Sequence, residues 1–310
     1  MREWYGHAGE KISQCHIFFA CARYGRDARE TRSNSAVFPA ANRPVLKDSP
    51  TLTEHSSHGH EAKKGLAFAH IAFIASVLAA LYMLLVMMAT HLGYVSLDFG
   101  FRTLTLGYGP KVAMAALVVC GLSLLIAVFK APGRTLVWAI GGLVISGALM
   151  GGFYAYQRAL KAFPPIADVA TDWDRPLGFS DKLMEDRGRE AKAVDDLPRV
   201  PRNESMEWGG RTVADINEAT CPGAKTIVNK AVTEDQIVNL LKSEHYIVFG
   251  HAPWRVEGTY QDNFYGFRSD VIIRIDPRTI DIRSVSRSDI PDLGANCRRV
   301  TALVNKIKAL

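Results

Sequence analysis

Six residues near the C-terminus have the types and spacing to bind a ligand: Arg268, Asp270, Arg283, Ser286, Arg287 and Asn296, with Asp289 beside them. They stand between apolar residues in stretches that alternate, so several share one strand face. An arginine fork matches a carboxylate or phosphate in a way a lysine point charge does not. Gly294 and Asn296, at the start of a terminal helix, could add backbone donors to an anion. The plainer expectation is internal: Asp270 pairs with Arg283 across adjacent strands, worth about 0.2–1 kcal/mol.

Catalytic motifs are missing. There is no Gly-x-Ser-x-Gly elbow, no His-Glu-x-x-His, no Gly-Lys-Ser/Thr phosphate loop and no Gly-x-Gly-x-x-Gly following a strand. No catalytic residue, metal site or cofactor is therefore assigned. An envelope hydrolase using Asp270 with His251 or His245 is the alternative, and it requires these groups within hydrogen-bond reach. Asp168, Asp172 and Asp174 lack calcium-loop spacing and read as turn and capping aspartates. His55, His58 and His60 have no companion ligand pattern. Of the five cysteines, Cys15 and Cys21 are spaced too widely for a Cys-x-x-Cys motif, and Cys120 reads as a small hydrophobe. Cys221 and Cys297 are expected to be separate buried thiols, with a disulfide as the alternative.

The elements that must hold these residues follow from periodicity. Ala224–Val232 suits a strand. Thr233-Glu-Asp-Gln236 forms a capping box ahead of a helical face of Ile237, Leu240 and Leu241. His245–Phe249 reads as a strand, and 255–261, 269–275 and 280–283 alternate with period two, Pro277-Arg278 supplying the last turn. Val300, Leu303, Val304, Ile307 and Leu310 recur at helical spacing. The sum is an α+β domain: an antiparallel sheet, one face polar and solvated, with helices on the other.

The rest of the chain is of another kind. It has 310 residues, 48% hydrophobic and 22% charged, which looks soluble on average. Yet Leu66 to Gln157 contains five charged residues only: Asp98, Arg102, Lys111, Lys130 and Arg134. Three apolar runs, Leu66–Leu92, Val112–Phe129 and Thr135–Gln157, are long enough to span a bilayer, which takes about 20 residues. Gly142-x-x-x-Ser146 and Gly147-x-x-x-Gly151 predict close helix packing within the bundle. The spans carry no internal acid or base of the kind that marks a transport pathway.

The net charge of +6 divides unevenly: residues 1–65 carry +3, 66–157 carry +3 and 158–310 are neutral. The positive excess thus orients a bundle and does not form a nucleic-acid groove. Lys63 and Lys64 before the first span, with Lys130 and Arg134 in the second loop, put the N-terminus in the cytoplasm. The C-terminal domain then lies beyond the membrane, in a bacterium the periplasm. The organisation expected is a disordered tail over 1–65, a three-helix membrane region over 66–157, a connector over 158–215 and the soluble domain over 216–310. MREWYGHAGEKISQ has no apolar h-region, so the first span is expected to act as an uncleaved signal anchor, with a translation start near residues 45–52 kept open.

The C-terminal half resembles domain-of-unknown-function family 1499. The resemblance rests on Pro164-Pro165-Ile166 with Asp168, Thr171-Asp172 and Pro176; on Tyr265-Gly266-Phe267-Arg268-Ser269-Asp270-Val271 and the run Asp281 to Arg287; and on Asp292-Leu293-Gly294-Ala295-Asn296 with Arg298-Arg299. It covers roughly 164–310, while 180–210 matches no pattern and Cys221 replaces a more usual aromatic. It implies membrane spans ahead of the domain and no particular activity. The functional expectation is a binding or scaffolding domain of the cell envelope, anchored in the bacterial inner membrane. Its partners are the bilayer itself and an anionic lipid, a cell-wall polymer or an envelope protein.

Overall fold

A computed structural model describes residues 55–130 and 133–310. The expectations for residues 1–54 lie outside the described residues.

Among the described residues, the part before the C-terminal domain is three packed helices: α1 (His55–His91), α2 (Gly109–Lys130), preceded by a π-helical segment (Phe99–Tyr108), and α3 (Arg134–Ala162). Among the described residues, three stretches are long and apolar enough to cross a membrane: Leu66–His91, Phe99–Phe129 and Thr135–Ala162. α1 starts upstream of its apolar run, so 55–65 is helical where a disordered tail was expected. Glu61, Ala62, Lys63 and Lys64 are good helix formers and extend a helix already nucleated by the span. The second span is also longer than its apolar run, because Phe99–Tyr108 winds as a π-helix within what read as a loop.

Small residues bring the helices together where predicted, but only in half of the predicted positions. At Gly142 a Cβ would lie 2.8 Å from Cys120 Sγ and 3.3 Å from Phe73 Cα. Ser146 is buried beside it and bonds back to Gly142 O at 2.9 Å. Cys120 Sγ lies 3.0 Å from Ser76 Oγ. Side chains at Gly147 and Gly151 would meet open space, so that pair takes no part in the packing.

The C-terminal half is one sheet with helices. Its strands are β1 (Asp168–Ala170), β2 (Ile227–Val228), β3 (Ile247–Ala252), β4 (Arg255–Gln261), β5 (Arg268–Ile275) and β6 (Thr279–Ser286). All pairings are antiparallel, in the order β1-β6-β5-β4-β3, with β2 also paired to β6. Of Ala224–Val232, only the two residues of β2 are strand. The helices are α4 (Asp181–Arg187), α5 (Val213–Thr220), α6 (Glu234–Ser243) and α7 (Ala295–Lys308). The predicted capping box opens α6, with both reciprocal bonds between Thr233 and Gln236.

Register shows what each sheet face does. Val256, Ile273 and Ile282 are aligned across β4, β5 and β6 and pack on Ile216, Ile237, Leu241, Val300 and Leu303 of α5, α6 and α7. Each such side chain, fully buried, contributes about 1.5–3 kcal/mol. The opposite face carries Glu257, Asp270 and Arg283, and it is not solvated: all three are buried. Its cover comes from within 158–215, the stretch read as a connector. That stretch supplies β1, and it also supplies α4, whose capping residue Ser180 donates from its backbone N to Glu257 Oε1 (2.8 Å) and from its hydroxyl to Oε2 (2.6 Å).

Cys221 and Cys297 form a disulfide, with Cα atoms 5.7 Å apart. Separate thiols were expected. The chain end of α5 and the first turn of α7 meet over the sheet, a proximity that a sequence separation of 76 conceals.

Candidate functional site

Strand alternation puts Arg268, Asp270, Arg283 and Arg287 on the polar face, whereas Ser286 and Asn296 belong to the helix-covered side. The six candidates therefore separate into distinct groups.

Asp270 does not pair with Arg283. Asp270 stands opposite Val285, and Arg283 opposite Ile272, so the two are a register step apart and each takes another partner. Asp270 is fully buried and accepts from Thr259 Oγ1 (2.6 Å), from Arg287 Nη2 (2.8 Å) and Nε (2.9 Å), and from Arg187 Nη1. Arg287 also bonds Asp186 Oδ2 at 2.8 Å. Arg187 closes on the carbonyls of Lys192 (2.9 Å) and Ser286 (3.2 Å). Burial pulls the Arg187 guanidinium below its ordinary range, with Asp270 opposing. At Arg287 burial acts in the same direction, but Asp270 and Asp186 outweigh it and raise the group.

Arg283 forms a closed structural knot. It donates to Asp168 through Nε (3.0 Å) and Nη2 (2.7 Å), and to the carbonyls of Leu177 (2.9 Å) and Asp195 (2.6 Å), with its guanidinium over the Trp173 ring. Burial pushes Asp168 above the usual carboxylate range, against the pull of Arg283. With no exposure left, Arg283 has no face for a ligand.

On the other side, Asn296 is fully buried. Its amide donates to Ala167 O (2.9 Å) and Ser286 Oγ (3.0 Å), and its Oδ1 accepts from Ser284 and Arg299. The donors expected to hold an anion at the start of α7 are already taken: the backbone N–H groups of Gly294 and Asn296 both donate to the Asp292 carboxylate (2.9 and 2.8 Å). Burial raises Asp292 all the same.

The hydrolase arrangement is not assembled. His251 is exposed and contacts Glu234 at the start of α6, on the helix side of the sheet, whereas Asp270 is sealed on the other. His245 ends the α6 turn at φ 65°. Among the described residues no group of His, Cys, Asp or Glu is arranged to hold a metal. Asp172 caps its own turn, accepting from the backbone of Asp174 (3.0 Å) and Arg175 (3.2 Å).

The open space lies where the domain meets the helix ends. A cavity of about 650 Å³ is lined by Arg268, Arg187 and Arg287 from the domain and by His91, Asp98 and Arg102 from the helices. Arg268 reaches it half-free; among the described residues its guanidinium bonds only Gln261 Oε1, at 3.2 Å. Next to it, an apolar cavity of about 200 Å³ contains Phe101, Tyr156, Phe267 and Arg299. The contact between the two halves uses Tyr265-Gly266-Phe267. Tyr265 Oη lies 3.0 Å from Thr105 Oγ1, and the Phe101 ring meets Tyr265 and Phe267 edge-on at 5.0 and 5.2 Å. Gly266, at φ 77°, sits on the end of α1, where a Cβ would lie 3.5 Å from His91 Cα.

Residues 168–307 match the model of a family described as a protein of unknown function, DUF1499. The C-terminal domain belongs to that family. No curated protein and no solved structure matches the chain. The match brackets both sheet faces of the DUF1499 domain, the covering segment included, so β1 and α4 are part of the family's unit.

Sequence reasoning missed Arg187, Asp186 and Thr259. Thr259 was within reach, since alternation along β4 puts it on the face of Asp270. Arg187 was not: α4 is a short helix in a polar stretch, and nothing in its spacing shows that it closes over a carboxylate 83 residues away.

Proposed function

We propose that this protein is a membrane-anchored binding module of the bacterial cell envelope, with an extracytoplasmic DUF1499 domain that holds its ligand against the membrane. The observation that carries this reading is the cavity of about 650 Å³ built jointly by the domain and the helix ends. It is in the size range of small-molecule sites and has a few charged groups converging on it. The Cys221–Cys297 disulfide supports the orientation, since such bonds persist in oxidising compartments, and so does the basic residue bias of the short loops.

The test is purification from native membranes in mild detergent followed by native mass spectrometry. The expected result is a bound small molecule on the wild-type chain that is lost from Arg268→Ala. Wild-type protein that carries nothing, or an Arg268→Ala variant as fully loaded as wild type, overturns the reading.

A further inference from the structure

We infer that the ligand is a single glycerophospholipid whose headgroup combines a phosphate with an amine, its headgroup in the polar cavity and one acyl chain in a cleft between the helices. This rests on the binding role proposed above and names the ligand class.

The geometry is continuous. A third cavity of about 260 Å³, with an entirely apolar lining, lies between the helices and includes Leu149, Gly152 and Phe153 of α3 with Thr105 and Leu106 of the π-helical segment. It shares Phe101 and Tyr156 with the cavity of about 200 Å³, which in turn shares Arg268, Ser288 and Ile290 with the polar cavity. The path thus runs from an apolar cleft among membrane spans, past an aromatic collar, to charged groups at the domain. Such a gradient fits an amphiphile and is wasted on a wholly polar ligand, which gains nothing from apolar walls.

The charges select the headgroup. The polar cavity is lined by four arginines, Arg102, Arg187, Arg268 and Arg287, and by four carboxylates, Asp98, Asp186, Glu190 and Asp289. It is not the positive trap that arginine content suggested. Arg102 is paired with Asp98 at 2.6 Å, while Arg287 and Arg187 share Asp270. Among the described residues, Arg268, Glu190 and Asp289 line the cavity without an ion-pair partner. One free cation beside two free carboxylates complements a phosphate and an amine together better than an anion alone.

The test compares lipids retained by the full-length chain, counted per protein by native mass spectrometry and identified after extraction. Gly152→Leu fills the cleft, because a side chain there meets open space; Gly151→Leu also meets open space but does not line the cleft. Wild type and Gly151→Leu are expected to retain one amine-containing phospholipid each, and Gly152→Leu and Arg268→Ala at least tenfold less. Ala148→Phe, at another cleft-lining position, repeats the test should Gly152→Leu not fold. If Arg268→Ala loses a bound molecule that Gly152→Leu keeps, the binding role stands and the lipid inference falls. A retained lipid with a purely anionic headgroup overturns the headgroup assignment. Retention unchanged in both variants overturns the binding role as well.

Discussion

Arg283 on β6 and Asp168 on β1 form a two-pronged ion pair that is fully buried, its partners 115 residues apart in sequence. Such a pair contributes little net stability compared with apolar residues, but losing one member leaves an uncompensated buried charge. Asp168→Asn is therefore expected to destabilise the domain by about 3–5 kcal/mol. The double variant Asp168→Leu with Arg283→Met should recover part of that loss, the carbonyls of Leu177 and Asp195 being left without their donor. Chemical unfolding of the full chain in detergent checks both; a double variant as unstable as the single one contradicts the account.

The disulfide joins the end of α5 to the first turn of α7 across 76 residues. Closing a loop of that length restricts the unfolded chain, with an expected stabilisation of about 4 kcal/mol. Cys221→Ser with Cys297→Ser should lower the unfolding midpoint accordingly, and reductant should have no further effect on that variant. In intact cells, alkylation before lysis should leave both wild-type cysteines unlabelled. Labelling of both would put the domain in a reducing compartment and contradict the orientation proposed.

Much of this architecture was legible. The apolar runs marked three long apolar helices, the capping box marked the start of α6, and period-two alternation located β4, β5 and β6. What alternation reports is which residues share a face. It says nothing of what covers that face, and so Glu257, Asp270 and Arg283 were expected in water. Their cover between 164 and 200 is held by hydrogen bonds and ion pairs more than by an apolar stripe, and polar contacts leave no period. The π-helical turn at Phe99–Tyr108 was hidden for a related reason: its i to i+5 bonds, such as Gly109 N–H to Leu104 O, have no compositional mark. For the site, residue types pointed to Arg268 and Arg287, but the cavity they line depends on helix ends more than 150 residues earlier.

Tyr246 is buried, with a hydroxyl that has no partner among the described residues. Burial pushes its phenol from 10.0 up to about 12. The folded chain thus holds the proton where the unfolded chain has begun to release it. The stability that this provides is complete below about pH 10 and is lost as pH rises through about 12. Tyr246→Phe should lose less stability than wild type over that window, and near neutral pH it should gain about 1 kcal/mol from removing an unsatisfied hydroxyl. Thermal melts from pH 8 to 12 on both proteins give the comparison.

Gly294 has φ 74°, and a Cβ there would come within 2.9 Å of the Phe163 ring. Gly294→Ala is expected to cost about 1–3 kcal/mol through backbone strain and to loosen the domain from the end of α3. Limited proteolysis should show faster cleavage after Phe163 than in wild type, while Gly178→Ala, where a Cβ meets nothing, should not differ.

Five residues, 163–167, separate the end of α3 from the first residue of β1. Even fully extended, they would reach only about 17 Å. The domain therefore patrols no volume of its own. With α3 spanning a bilayer, as proposed, whatever the domain engages must come to the bilayer surface, and any tilt of α3 is passed to the sheet as a pull on its edge strand.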